Sequence, residues 1–401
     1  MVASVNRILV VDDDEFQRAL ISEQLQTLGW SHVLLASDGE SALALFDRHG
    51  QDIAVIVCDL SMPGMDGLVL MRHFAQRNVL ASFILLSAAN DEILTSAAGL
   101  AQAHQFDLLG VIPKPCTVAQ LRDLLATRQP RSSGLNERRV ERALTAERLQ
   151  HALDNHEFLP WYQPKFDMGK NRTTSVEALA RWPIESGGMI GPGLFVPALE
   201  AAGLSDALFL AMAQRVVSDL AAWRRAGLKL KAAINMSMDS ALNLEIPERL
   251  LEVIKAANLR PQDVIIEVTE SRLMAKRTLA METLTRLSLM GFVLSIDDFG
   301  TGYSGLVQLI DLPFKELKID ASFVQRAKTE AKAAAVLRIA VSIGHSLGIS
   351  VIAEGVETQD QMAFVRACGG EVVQGYFLAR PMPFEACTKW LENEALQLTT
   401  S

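Results

Sequence analysis

The feature that most constrains this chain is a recurrence: short apolar runs that stop on an acidic or polar residue, alternating with segments of helical spacing. Residues 8–11 run into Asp12, Asp13 and Asp14. Residues 53–58 stop at Asp59, 264–266 at Glu267, and 293–296 at Asp297 and Asp298. A strand that is apolar along its whole length is covered by helices on both faces, so the pattern predicts parallel α/β architecture rather than a sandwich or a bundle. Polar groups at the strand ends then gather at one rim of each sheet, where such folds hold their ligands.

Strands are expected at 8–11, 33–36, 53–58, 83–87 and 110–112, a five-strand doubly wound domain over residues 1–126. The turn formers of 129–134 break the pattern, and 127–144 reads as a linker of solvated helical character. From 145 to 395 the alternation resumes, with strands expected at 175–181, 232–236, 264–269, 293–297, 316–319, 350–353 and 371–374. That length suits a (β/α)8 TIM-like barrel, with an open doubly wound sheet as the structural alternative. An apolar share of 49% against 21% charged residues supports two buried cores.

Several function classes are set aside. No uncharged apolar run approaches the ~18 residues of a membrane span, which with the absence of a cleavable leader pattern predicts a cytoplasmic protein that avoids membranes. Cys58, Cys116, Cys368 and Cys387 lack zinc or redox spacing. Residues 1–126 hold 7 Lys/Arg against 15 Asp/Glu, which disfavours DNA binding there, and no helix-turn-helix with a basic face follows. Self-association into a homo-oligomer is left open.

Asp12, Asp13 and Asp59 close two neighbouring strands of the first domain. Three carboxylates on one rim repel one another unless a divalent cation joins them, and Mg2+ with phosphate oxygens suits phosphoryl transfer to an Asp nucleophile. Ser87 offers a hydroxyl and Lys114 a positive charge for the phosphoryl oxygens. Taken singly, each Asp and Ser has a plainer role as a helix cap, and the lysine as a solvated charge. The segments V-V-D-D-D at 10–14, V-C-D-L-S-M-P-G-M-D-G at 57–67, L-L-S-A at 85–88 and P-K-P at 113–115 resemble the response-regulator receiver domain. That resemblance implies Asp59 as phosphoacceptor, and Asp13, Asp59 and the Ser61 carbonyl around one metal ion. It makes Asp12 an outer acid, Ser87 and Lys114 phosphate readers, and a sensor histidine kinase or other phosphodonor the partner. The sequence departs from the pattern at 110–112, where only Gly and aliphatic residues stand in place of a switching aromatic.

In the larger domain the strand ends carry Glu177, Asn235, Glu267, Asp297, Asp298, Lys318, Glu354 and Gln374. Several carboxylates with an amide oxygen make a hard site for Mg2+ or Mn2+, and the Asp297-Asp298 doublet can bridge two ions. Two such ions suit in-line displacement at phosphorus, with Lys318 orienting water or neutralising charge and Glu354 as general base or a further ligand. Capping explains Asn235, Asp297 or Asp298 one at a time, and Glu177 and Glu357 could instead pair with arginines. The segments Y-Q-P-K (162–165), E-A-L-A-R-W (177–182), N-M-S (235–237), E-V-T-E (267–270), D-D-F-G-T-G-Y-S (297–304), K-I-D (318–320), A-E-G-V-E-T (353–358) and Q-G-Y-F-L-A-R-P-M (374–382) resemble the EAL family of cyclic di-GMP phosphodiesterases. By that resemblance Glu177, Asn235, Glu267 and Asp297 hold one ion, Asp297 and Asp298 the second, and Lys318 with Glu354 act on water. It also makes Gln163, Arg181, Asp320, Glu357, Gln374 and Pro381 ligand contacts and Glu270 the anchor of the loop after Asp298. Gly305 stands where a second Ser is common.

Together the two resemblances imply a response regulator that hydrolyses cyclic di-GMP to linear pGpG with two Mg2+ or Mn2+ ions in the barrel and one in the receiver, its activity modulated through Asp59. The alternative is a non-catalytic cyclic di-GMP receptor.

Overall fold

The computed structural model describes residues 7–77, 79, 81–87, 97–101, 104, 106–128, 144–184, 188–269, 277–300 and 309–399. Glu270 and Gly305 lie outside them. The chain divides into two units, Met1–Ser133 and Gly134–Ser401.

In the first unit the five apolar runs form β1 (Arg7–Val11), β2 (Val33–Ala36), β3 (Ile53–Asp59), β4 (Ser82–Ser87) and β5 (Asp107–Pro113). They pair in the order β2-β1-β3-β4-β5, all parallel. Side chains alternate across the sheet: Leu9, Val11, Ile56, Cys58, Phe83 and Leu85 join one core cluster, and Ile8, Val10, Val55, Val57, Ile84 and Leu86 the other. Two covered faces are why these strands read as continuous apolar runs. Strand β5 starts earlier than expected, because Ser82 donates to Asp107 across the first rung (2.5 Å). Asp14, Asp38, Asp66 and Thr117 cap the four helices that start at Glu15, Gly39, Gly67 and Val118.

The second unit is a closed barrel of eight strands: β6 (Leu159–Asp167), β7 (Arg172–Ile184), β9 (Lys231–Asn235), β10 (Val264–Thr269), β11 (Val293–Phe299), β12 (Glu316–Ile319), β13 (Ser350–Ala353) and β14 (Val372–Val373). The short strands β8 (Gly188–Ile190) and β15 (Met382–Pro383) pair with β7 and β6. Seven barrel strands run parallel, but β6 is antiparallel to both its neighbours, β7 and β14, and closes the ring. The expected TIM-like barrel is present, with one departure from a regular repeat: its first two strands form a hairpin with no helix between them. Sequence reading passes over β6 because Pro160 and Pro164 interrupt it, and proline removes a ladder donor.

The period of two along each strand decides what faces inward. Lys318 and Glu316, Gln163 and Lys165, Glu177 and Ser175, and Asn235 and Lys231 fall at that spacing on their strands, with Glu177 level with Gln163 and Glu267 level with Asn235 in the ladder. The apolar cluster of this unit is built instead from the alternate residues, such as Val176, Ile234, Ile266, Leu294 and Leu317, packed outward against the helices. Among the described residues no helix is long and apolar enough to cross a membrane.

Candidate functional site

Two sites emerge, one in each unit. At the carboxyl ends of β1 and β3, carboxylate oxygens of Asp12, Asp13 and Asp59 lie within 4.8 Å of one another. Asp12 and Asp59 are buried, whereas Asp13 is exposed. Lys114 Nζ lies 2.8 Å from Asp12 Oδ2 and 2.6 Å from Asp59 Oδ2. Asp59 Oδ1 accepts the Ser61 amide at 3.1 Å. Burial outweighs these partners and raises the Asp59 carboxyl above its ordinary range, while the two carboxylates more than offset burial and raise Lys114. Ser87 is fully buried at the end of β4, and its carbonyl accepts the Lys114 amide at 2.8 Å, which brings these two residues to one rim. Gly67 is required here: a Cβ on it would stand 2.4 Å from the Asp59 carbonyl oxygen. The pocket therefore assembles all five residues read from the sequence.

The barrel site is organised around Lys318, 1% exposed in its side chain. Its Nζ lies 3.3 Å from Glu177 Oε2, 3.2 Å from Glu267 Oε2, 3.0 Å from Asp297 Oδ1 and 2.8 Å from Glu354 Oε1. One ammonium thus meets four carboxylates. Oxygens of Glu177, Glu267 and Asp297 fall within 4.8 Å of one another, as do those of Asp297, Asp298 and Glu354. Asn235 Nδ2 donates to Glu177 Oε1 at 3.0 Å. Asp298 adopts φ +56°, outside the usual range for a non-glycine residue, and its amide donates to Asp297 Oδ1 at 3.0 Å.

The surplus negative charge shows in the ionisation. Burial, with the charge of Glu177, pushes Glu267 up to about 7 against the pull of Lys165 and Lys318. Burial, with Asp297 and Glu177, pushes Glu354 up to about 8 despite Lys318. Asp298 rises to about 6 through burial and the neighbouring Asp297 and Asp320. For Glu177 burial is more than offset by Lys318, Lys165 and the hydrogen bonds from Gln374 and Asn235, which hold it at about 2. A set of hard oxygens carrying more negative charge than its lysines neutralise fits divalent cations.

The remaining expected contacts are placed less uniformly. Gln374 Nε2 donates to Gln163 Oε1 (3.0 Å) and Glu177 Oε2 (2.7 Å), and Gln163 Nε2 donates to the Ala379 carbonyl (3.1 Å). Both ends of the Gln163 amide are thereby engaged within the protein. Asp320 caps the helix Ala321–Arg326 by accepting the Ser322 amide at 3.0 Å. Glu357 is exposed, with a long hydrogen bond from Gln325 (3.4 Å). Arg181 donates to its neighbour's carbonyl, Ala180, at 2.9 Å and forms no ion pair with Glu177 among the described residues. Pro381 immediately precedes β15, half-buried.

Two features escaped the sequence reading. Lys165, fully buried, places Nζ 2.5 Å from Glu267 Oε1, so Glu267 keeps only Oε2 toward the mouth. The signal was present as a lysine inside a strand that the prolines concealed. Two residues past Gln374, Tyr376 is 50% exposed, with the Arg380 guanidinium 4.2 Å above its ring, an aromatic face at the rim of the same mouth.

A buried pocket of carboxylates and a lysine on an open α/β sheet, and a carboxylate-rich mouth on a barrel, together fit a response regulator with an enzymatic output domain. Residues 8–126 match the response regulator receiver domain and residues 146–381 the EAL domain. The chain belongs to the EAL family and carries an N-terminal receiver. It is 32% identical to the cyclic di-GMP phosphodiesterase RocR of Pseudomonas aeruginosa, across 94% of this chain and 96% of that protein. It is 33% identical to the cyclic di-GMP phosphodiesterase PdeR of Escherichia coli, over 65% of this chain and 39% of that one. Among solved structures, the cyclic di-GMP complex of the Pseudomonas aeruginosa MucR phosphodiesterase superposes with a TM-score of 0.57 at 34% identity, covering 60% of this chain and 99% of that chain. Membership of this family implies use of divalent metal.

Proposed function

We propose that this chain hydrolyses one 3′,5′-phosphodiester bond of cyclic di-GMP to linear pGpG, under control of phosphorylation at Asp59. The observation that carries the reading is the convergence of Glu177, Glu267, Asp297 and Glu354 on Lys318 at the carboxyl rim of the barrel. Glu177, Asn235, Glu267 and Asp297 would hold one Mg2+ or Mn2+ ion, and Asp297 and Asp298 a second. Bound ions supply charge neutralisation at the phosphodiester and acidify water.

The chain's own residues do the rest. Lys318, held by four carboxylates, keeps them in one arrangement and places a positive charge beside the reacting phosphate. Glu354 accepts the proton of the attacking water. Arg181 addresses a phosphate, while Gln163, Asp320, Glu357, Gln374 and Pro381 shape the ligand groove. The Tyr376 face supplies a stacking platform for a guanine. In the receiver, Asp13, Asp59 and the Ser61 carbonyl would hold one ion with Asp12 supporting it, and Ser87 with Lys114 would contact the oxygens of a phosphoryl group transferred to Asp59 from a histidine kinase or small phosphodonor. Residues 127–144 connect this control element to the catalytic domain at 145–395.

The test is chromatography of products after incubating the full chain with cyclic di-GMP and Mg2+, with and without chelator. Metal-dependent pGpG supports the reading. Tight ligand binding without product would establish the receptor alternative.

A further inference from the structure

The barrel has a second mouth, at the amino ends of its parallel strands and opposite the carboxylate site. A cavity of about 330 Å3 opens there beneath Glu316 and Lys231, and a cleft of about 270 Å3 adjoins it, the two sharing Lys170, Thr174 and Lys231. Its charge is unlike that of the chain as a whole, which is −9. Arg172, Lys229, Lys231 and Lys315 line the two hollows, and among the described residues none of them has a carboxylate at ion-pair distance. By contrast Lys170 is tied to Asp167 (2.6 Å), and Arg224 and Arg260 share Asp263 (both 2.9 Å). Four exposed cations without an ion-pair partner, set around one concave region, give it a positive field that favours an anion.

Two further observations narrow the anion. Glu316 lines the cavity, and its Oε2 is buried and meets no hydrogen-bond donor among the described residues. A buried carboxylate oxygen left without a donor is unfavourable, and a ligand hydroxyl would satisfy it. The adjoining cleft is floored by Leu220, Leu228, Leu230 and Leu259, an apolar bed beside the cations. Anion, hydroxyl donor and flat apolar group at these positions describe one ligand class, and the combined space is of the size that small-molecule sites use.

We propose that the amino-terminal mouth of the barrel binds a nucleoside phosphate, with its phosphates on Lys231, Lys229 and Lys315, its ribose hydroxyl on Glu316, and its base on the leucine bed. The ligand sits on the side of the barrel away from the cyclic di-GMP mouth, and the site stands whether or not the catalytic reading holds.

The experiment is calorimetric titration of the full chain with ADP, in chelator to arrest turnover, alone and in the presence of saturating cyclic di-GMP. The expected result is one saturable site per chain whose affinity is unchanged by cyclic di-GMP and at least tenfold weaker in Lys231→Glu. Lys315→Glu is the second variant should Lys231→Glu fail to fold. Inorganic phosphate should displace ADP only at much higher concentration. Absence of saturable binding, displacement by cyclic di-GMP, full affinity in both folded variants, or equal competition by phosphate would each overturn the assignment.

Discussion

Replacing Lys165 with Met is the most informative single change, because it alters one buried charge while nearly preserving shape. Met fills a similar unbranched volume without a polar atom, so packing loss is small. What disappears is the nearer of Glu267's two cations, 2.5 Å from Oε1 against 3.2 Å for Lys318 to Oε2. At an effective dielectric of 20 the gross attraction at such a distance is about 7 kcal/mol, and desolvation of both ions opposes it. Removing one partner of a buried pair typically destabilises by about 3–5 kcal/mol. Glu267 already lies at about 7 and can take up a proton, which caps the loss, so about 3 kcal/mol is expected at neutral pH. The assay is urea unfolding in chelator followed by tryptophan fluorescence, since Trp161, Trp182, Trp223 and Trp390 lie in the barrel and only Trp30 in the receiver. The double variant Lys165→Met with Glu267→Gln should recover most of the loss. A single variant as stable as wild type, or a double variant no better than the single, would refute the pairing argument.

Glu354→Gln should lower turnover about 100-fold or more while cyclic di-GMP affinity stays within a few-fold, as read by single-turnover kinetics against equilibrium binding. Asp59→Asn should abolish incorporation from a small phosphodonor and with it any donor-dependent change in phosphodiesterase rate; a change that persists in the variant removes Asp59 as the control point. Glu157 accepts two hydrogen bonds from Arg148 (3.1 and 2.6 Å) and one from Trp182 (2.8 Å), and the Arg148 bonds lead in holding its carboxyl below the ordinary range. Its contribution is therefore complete above the unfolded value near 4.5 and fades as pH falls through the lower folded value, so Glu157→Gln should flatten the loss of barrel stability as pH falls below about 4.5 and cost on the order of 1 kcal/mol at pH 7.

All the barrel and receiver strands except β6, with their polar ends, were legible from residue order alone, because a strand covered on both faces stays largely apolar until it nears the rim. That local rule marks Asp12, Asp59, Ser87, Glu177, Asn235, Glu267, Asp297, Lys318 and Gln374 without any knowledge of which neighbours they meet. Tertiary structure decided everything that depends on ring closure. Only closure puts the antiparallel β6 between β7 and β14, and with it Lys165 against a glutamate 102 residues away. Closure also sets Lys318 among carboxylates from four different strands or strand ends, so that identical side chains acquire values from about 2 at Glu177 to about 8 at Glu354. Sequence specifies which groups reach a rim, since that follows from the two-residue period of a strand. How those groups ionise and pair follows from distances between strands far apart in the chain, and those distances exist only once the barrel has closed.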